Sequence, residues 1–216
     1  MRAAVLGSSD AIVSTASLMI GVAASSATRE ATLIAGVAGL AAGAMSMAVG
    51  EYVSVSAQRD AEQADIAREK QELVEQPQAE LRELSLIYER RGLEPQLAQQ
   101  VAEQLSAKDR LAAHLHDELG IDDTTLARPL QAAGISALSF ALFALIPIAA
   151  LLVAPASLRE PVIAALSLLS LALLGALGGQ LGGAARLPAA LRVTIGGGLA
   201  MLVTAGIGRV FGIVAG

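Results

Sequence analysis

Five long stretches without a charged side chain dominate this sequence of 216 residues. A helix needs about 20 mostly apolar residues to cross the roughly 30 Å hydrocarbon core of a bilayer. A soluble bundle of this length has too little polar surface to cover five helices that are apolar on every side. The sequence therefore predicts an all-α integral membrane protein with five transmembrane helices. The stretches are residues 11–28, 31–50, 129–158, 161–185 and 193–208, the last of which reaches spanning length when it continues past Arg209.

The first stretch also has the general form of a cleaved signal peptide, because residues 1–27 combine one arginine, an apolar segment and small residues near the end. Ser8, Ser9 and Asp10 would interrupt the apolar region of such a signal. Polar groups inside a retained helix are instead typical of an ion pathway. We therefore expect this segment to remain as the first transmembrane helix.

Charged residues are concentrated between the second and third stretches, although the net charge is only −5. Residues 57–128 contain 16 of the 20 acidic and 9 of the 15 basic residues. This distribution predicts three parts: residues 1–57 with transmembrane helices 1 and 2, residues 58–128 as an acidic metal-binding domain, and residues 129–216 with helices 3 to 5.

Lysine and arginine counts in the loops predict the orientation. If Arg2 and the acidic domain face the cytoplasm, 12 basic residues lie inside and 3 lie outside. The expected location is the cell (inner) membrane, with a cytoplasmic N-terminus, a cytoplasmic acidic domain and an external C-terminus.

The acidic domain itself is predicted to contain three helices, because prolines and glycines divide it into three polar segments. Pro77 ends the first helix, and Gly92 and Gly120 are typical C-terminal glycines for the other two. The helices are expected from the second transmembrane span to Glu75, from about Gln78 to Arg91, and from Glu94 to Leu119.

Carboxylates share one face of the first of these helices. At 100° per residue they fall within an arc of about 80°, outside which the neighbouring basic residues lie. Like charges at this spacing destabilise a helix by a few tenths of a kcal/mol per pair unless a cation bridges them. The four residues are Glu62, Asp65, Glu69 and Glu72.

Two further groups of ionisable residues could join this face if the three helices form an antiparallel bundle. Glu80 and Glu83 follow the Pro77 turn, and His114, Asp117 and Glu118 lie near the end of the third helix. Carboxylates with one imidazole suit Fe(II), Mn(II), Co(II) or Zn(II) better than Ca(II). The alternative is an acidic surface that is simply solvated.

No motif for covalent catalysis accompanies these residues. The chain has no cysteine, no Glu-x-x-His or His-Glu-x-x-His sequence, and no phosphate-binding Gly-x4-Gly-Lys loop. We therefore expect no enzyme, no catalytic cofactor and no nucleic-acid partner.

Within the spans, the ionisable groups are Asp10 and Glu51. Glu51 lies near the inner end of the second span and shares a helix face with Met47. A thioether and two carboxylates can hold a transition-metal ion weakly.

Two segments resemble a known family. Residues 9–15 (SDAIVST) and 35–54 (AGVAGLAAGAMSMAVGEYVS), followed by an acidic insertion, are similar to the vacuolar iron transporter family in its bacterial branch. The resemblance spans nearly the whole chain. It implies a homodimer of five-span subunits that exchanges cytosolic Fe(II), and often Mn(II), for protons, with the pore at the dimer interface.

The resemblance also implies roles for individual residues. Asp10 and Met47 match pore positions, and Glu51 lies within the second motif. The cytoplasmic metal-binding positions match Glu69, Glu72, Glu80, Glu83 and Glu118. The expected function is proton-coupled export of Fe(II) or Mn(II), with Zn(II) as a further candidate for the cytoplasmic site. The alternative is a membrane-anchored metal sensor or scaffold without transport.

Overall fold

The computed structural model describes the backbone of residues 2–121 and 127–215 and the side chains of residues 7–121 and 127–213. Every regular element in these residues is helical, which confirms the predicted all-α fold. The elements are α1 (Arg2–Ala24), α2 (Arg29–Glu75), α3 (Pro77–Arg90), α4 (Pro95–Asp117), α5 (Pro129–Val153), a 3₁₀ turn (Ala156–Leu158), α6 (Arg159–Leu181) and α7 (Arg186–Ala215).

The chain divides into two compact units. The apolar unit comprises Met1–Glu51 and Leu130–Gly216, and the acidic unit comprises Tyr52–Pro129. The division falls inside α2, whose 47 residues form one continuous helix. At 1.5 Å per residue this helix is about 70 Å long, more than twice the thickness of a hydrocarbon core. Only part of α2 can therefore lie within a membrane.

Five helices of the described chain are long and apolar enough to cross a membrane, judged by length and composition. They are α1, α2, α5, α6 together with the preceding 3₁₀ turn, and α7. In the apolar window of α1, 56% of the residues are buried inside the chain, whereas the corresponding share in α2 is 6%. α1 is therefore a central helix of the apolar unit, and α2 leaves most of its apolar surface uncovered.

The core of the apolar unit forms where α1 meets α5, α6 and α7. Ile12 and Met19 of α1 are fully buried together with Leu151, Ile163 and Leu171. Glycines allow close approach between these helices. A Cβ atom on Gly208 of α7 would lie 2.0 Å from the carbonyl oxygen of Gly21 of α1. Where α2 meets α5, a Cβ atom on Gly43 would likewise lie 2.1 Å from the Phe140 ring.

The acidic unit follows the predicted helix ends with one correction. α2 ends at Glu75, α3 begins with Pro77 in its first turn, and Gly92 follows α3 with φ +100°. The third helix, expected without interruption from Glu94 to Leu119, is broken at Asp109, where φ is −157° and ψ is 97°. The Asp109 carboxylate accepts a hydrogen bond from the backbone N–H of Ala112 (3.0 Å), as an N-cap residue does. Residues 110–117 therefore form a separate two-turn segment.

Candidate metal-binding site

Four ionisable side chains of the acidic unit converge. Glu69, Glu80, His114 and Glu118 each offer one oxygen or nitrogen atom, and these atoms all lie within 4.8 Å of one another. Glu69 comes from the last two turns of α2, Glu80 from the first turn of α3, and His114 from the end of α4, where Glu118 is the C-cap. Three separate helices therefore build the cluster.

His114 is at the centre of this cluster. Its Nδ1 lies 3.0 Å from Glu69 Oε1, 3.0 Å from Glu118 Oε2 and 3.9 Å from Glu80 Oε2. The pair formed by His114 and Glu118 is one helical turn apart, as the i, i+4 spacing predicts. The imidazole thus contacts carboxylates from both α2 and its own helix.

The cluster is buried from solvent on most sides. His114 is fully buried, and Glu69 and Glu80 expose only 2% and 7% of their surface. The Glu118 side chain is 24% exposed and provides the most accessible ligand. Buried carboxylates are rare in proteins unless a counter-charge or a metal ion accompanies them. The observed burial therefore disagrees with the alternative of a solvated acidic face.

Burial and mutual repulsion shift the protonation of the two buried glutamates. Burial, followed by the charge of Glu118, raises the pKa of Glu69 to about 7 against the opposing effect of His114. Burial also raises the pKa of Glu80, and the nearby charge of Glu83 adds to that effect. Both carboxylates are thus destabilised in their charged form in the absence of a cation.

Two polar atoms in the cluster have no hydrogen-bond partner among the described residues. They are His114 Nε2 and Glu69 Oε1, both buried; the 3.0 Å contact of Glu69 Oε1 with His114 Nδ1 is an ion-pair contact and not a hydrogen bond. Since Nδ1 of an imidazole carries at most one hydrogen, it cannot donate to both Glu69 and Glu118 at the same time. A divalent cation bound by three carboxylates and one imidazole would satisfy the Glu69 oxygen, and Fe(II), Mn(II), Co(II) and Zn(II) accept such a ligand set.

The remaining predicted ligands lie outside the group of converging atoms. Glu72 is partly buried and Glu83 is exposed, although the charge of each raises the pKa of the buried glutamate one turn away. Glu62 accepts a hydrogen bond from the backbone N–H of Ala127 (3.2 Å), and Asp65 pairs with Arg68 at 3.5 Å. The carboxylate arc on α2 therefore contributes one residue to the converging atoms.

Asp117, which the sequence groups with His114 and Glu118, has different partners. Its carboxylate accepts hydrogen bonds from the Tyr88 hydroxyl and from Arg91 Nη1, the latter at 2.5 Å. Burial alone would raise the pKa of Asp117, but the hydrogen bonds from Tyr88, Arg91 and His116 lower it overall. These partners on α3 could not be predicted, because the spacing within α4 does not reveal which neighbouring helix Asp117 meets.

The three residues expected along a transport pathway lie in the apolar unit. Asp10 is exposed on α1, and Glu51 is partly exposed on α2. Among the described side chains, neither carboxylate has a hydrogen-bond or ion-pair partner. Met47 is partly buried and packs with Ala11 and Phe140. The two carboxylates therefore lie on surfaces that their own chain leaves open.

Comparisons with known proteins agree on one family. A family model described as the VIT family matches residues 1–209. The vacuolar iron transporter of Acanthamoeba castellanii is 49% identical over 211 residues, which represent 96% of this chain and 77% of that protein. Vacuolar iron transporter homolog 1 of Oryza sativa subsp. japonica is 38% identical over 213 residues (98% and 74%), and VIT-like transporter 1b of Glycine max is 36% identical over 213 residues (98% and 76%).

Proposed function

The chain belongs to the VIT family, and from this membership we propose that it carries divalent transition-metal ions out of the cytosol in exchange for protons. Membership confirms the resemblance that residues 9–15 and 35–54 indicated. Fe(II) is the proposed cargo because the relatives are named vacuolar iron transporters. Mn(II) is a second proposed cargo, since carboxylate oxygens suit it well. We expect no covalent chemistry.

The observation that carries this proposal is the buried cluster around His114. Three carboxylates and one imidazole converge there in a chain with five helices that are apolar enough to span a membrane. The proposed role of the cluster is to capture cytosolic metal ions, with Glu72 and Glu83 adding negative charge around it. Capture raises the local metal concentration without lowering the barrier inside the membrane.

Asp10, Met47 and Glu51 are proposed to carry the ion across the membrane. An ionised carboxylate within a transmembrane helix is costly, up to about 2.5–3.5 kcal/mol at the helix centre on insertion scales, so Asp10 and Glu51 are functional candidates although both lie away from the centre. Protonation of the carboxylates would return protons to the cytosol. Moving two charges against 100 mV costs about 4.6 kcal/mol, and proton entry offsets part of this cost.

A homodimer is proposed as the transporting unit. The exposed carboxylate of Asp10 and the uncovered apolar face of α2 support this proposal, because a second copy could cover both. Light scattering of the detergent-solubilised protein is expected to give the mass of two subunits. An active protein with the mass of one subunit would contradict an interfacial pore.

The proposed orientation follows the distribution of basic residues. The five transmembrane helices would come from residues 1–57 and 129–216 and would lie in the inner membrane of the cell. The N-terminus and the acidic domain, residues 58–128, would face the cytoplasm. Cysteine labelling tests this, because the chain has no cysteine of its own. A cysteine at exposed Glu75 should react with an impermeant reagent only after the inner membrane is opened.

Transport itself is tested in proteoliposomes that contain a pH-sensitive dye. Addition of Fe(II) or Mn(II) under anaerobic conditions should produce metal movement and opposite proton movement, both absent from empty liposomes. Metal movement without proton movement would contradict the coupling. Metal binding without any transport would favour the membrane-anchored sensor instead.

A further inference from the structure

A second polar cluster lies beside the metal site and joins α3 to the end of α4. The Asp117 carboxylate accepts a hydrogen bond from the Tyr88 hydroxyl, and Arg91 donates to both its Oδ1 (2.5 Å) and its backbone oxygen (3.0 Å). The Arg91 guanidinium also lies 5.5 Å from the centre of the Tyr88 ring. None of these three side chains offers a ligand atom to the metal cluster.

The end of α4 needs such support. The break at Asp109 separates residues 110–117 from the rest of the helix and leaves a segment of two turns. Isolated helices shorter than about 12 residues are marginal in water, and helix ends fray. Two groups of the metal site, His114 and Glu118, depend on this segment, and Glu118 lies just beyond its last helical residue.

We propose that Asp117 is a positioning residue: held by Tyr88 and Arg91, it fixes the last turn of α4 in the place that the metal site requires. The three residues contribute no ligand. They hold His114 and Glu118 opposite the ligands that α2 and α3 supply. This inference rests on the proposed metal binding and adds residues that the binding depends on.

The sign of one substitution separates positioning from simple electrostatics. Removal of a positive charge near a cation site should strengthen metal binding by Coulomb's law. If Arg91 positions the site, Arg91→Gln should instead weaken metal binding, because loss of groups that orient metal ligands typically reduces metal affinity 10- to 100-fold. Arg90→Gln is the matched control, because Arg90 is exposed on the same turn of α3 and carries the same charge.

The experiment is a titration of the full chain in detergent with Co(II) alone. Calorimetry and the visible absorption of the bound ion measure the binding. We expect Arg91→Gln to reduce the Co(II) affinity about tenfold and to alter the absorption spectrum. Arg90→Gln should bind as the unchanged protein does, or more tightly. Tyr88→Phe, which changes no charge and keeps the ring, should also weaken binding.

Each result has a distinct meaning. Equal affinity in the unchanged protein, Arg91→Gln and Tyr88→Phe would overturn the positioning role and leave the metal site intact. Tighter binding by Arg91→Gln, to the extent seen for Arg90→Gln, would also overturn it. Absence of Co(II) binding in the unchanged protein would overturn the proposed metal site itself. If circular dichroism shows that Arg91→Gln does not fold, Tyr88→Phe decides the question.

Discussion

At the residue scale, Glu69 shows how one side chain can link metal binding to pH. Its folded-state pKa of about 7 lies above the ordinary value of 4.5, chiefly because of burial. The folded protein therefore holds a proton that the unfolded chain releases between these two pH values, so its stability falls as pH rises through that window. A divalent cation favours the opposite, deprotonated form.

We expect the metal affinity of the full chain to rise with pH up to about 7 and to level off above it. Below the pKa of Glu69, bound metal must displace a proton, which calorimetry in buffers of different ionisation enthalpy can count. Glu69→Gln should bind more weakly and release fewer protons, whereas exposed Glu75→Gln should behave as the unchanged protein does. A constant affinity between pH 5 and 7 would contradict this prediction.

The sequence identifies the candidate residues of the metal cluster but not which of them converge. Periodicity places Glu69 and Glu72 on one face of α2, and the i, i+3 spacing pairs Glu80 with Glu83. In each pair the structure directs only one member into the cluster, Glu69 and Glu80. Which member turns inward depends on the angle at which α3 and α4 approach α2. Tertiary packing sets that angle, and local spacing does not encode it.

At the element scale, most helix ends in the acidic unit are predictable because Pro77, Gly92 and Pro95 mark them. Such residues interrupt helices for steric reasons that do not depend on the rest of the fold. The break at Asp109 lacks these signals. Aspartate is common on helix surfaces as well as at N-caps, so the local sequence does not distinguish a continuous helix from a broken one.

We expect Asp109→Ala to destabilise the acidic unit by about 1 kcal/mol, because the substitution removes the hydrogen bond to Ala112 at the start of a helical segment. Thermal unfolding of the full chain, monitored by circular dichroism, measures the effect. Lys108→Ala is the control, since it changes the adjacent exposed residue and leaves the cap in place. Equal destabilisation by both substitutions would show that the cap contributes nothing.

Contact between α1 and α7 leads to a prediction with an internal control. A Cβ on Gly208 would lie 2.0 Å from the Gly21 carbonyl oxygen, whereas one on Gly206 would meet nothing within 4 Å. Gly208→Ala should therefore lower the melting temperature in detergent. Gly206→Ala should leave it unchanged or raise it, because alanine is favoured over glycine in helices by about 1 kcal/mol. Similar effects of the two substitutions would contradict the close packing of these helices.

At the scale of the whole molecule, the chain buries three of the four converging side chains of the acidic unit and leaves Asp10 exposed in the apolar unit. A lone chain in a bilayer would present this carboxylate and the uncovered face of α2 to lipid. The proposed homodimer would remove this costly exposure. The sequence indicates that α2 is apolar, but only the fold shows that its own chain hardly covers it.

We expect Asp10→Asn and Glu51→Gln each to abolish proton-coupled metal transport in proteoliposomes while the protein remains folded. The amides insert into a membrane at least as easily as the carboxylates, so stability should not fall. The changes nevertheless remove a negative ligand and a protonatable group from the proposed pathway. Asp60→Asn is a matched control, because Asp60 is exposed in the acidic unit and lies outside the metal cluster.

Met47→Leu should separate metal preference from proton coupling in the same assay. Leucine approximates the volume of methionine but lacks the thioether, so transport should shift from Fe(II) toward the harder Mn(II) while protons still move.

Combined removal of Glu69 and Glu118, by contrast, should slow transport only at low metal concentration, because a capture site does not change the membrane barrier. If Asp10→Asn and Glu51→Gln both transport metal and protons at the normal rate, the proposed pathway is wrong, and the ion must cross along other residues.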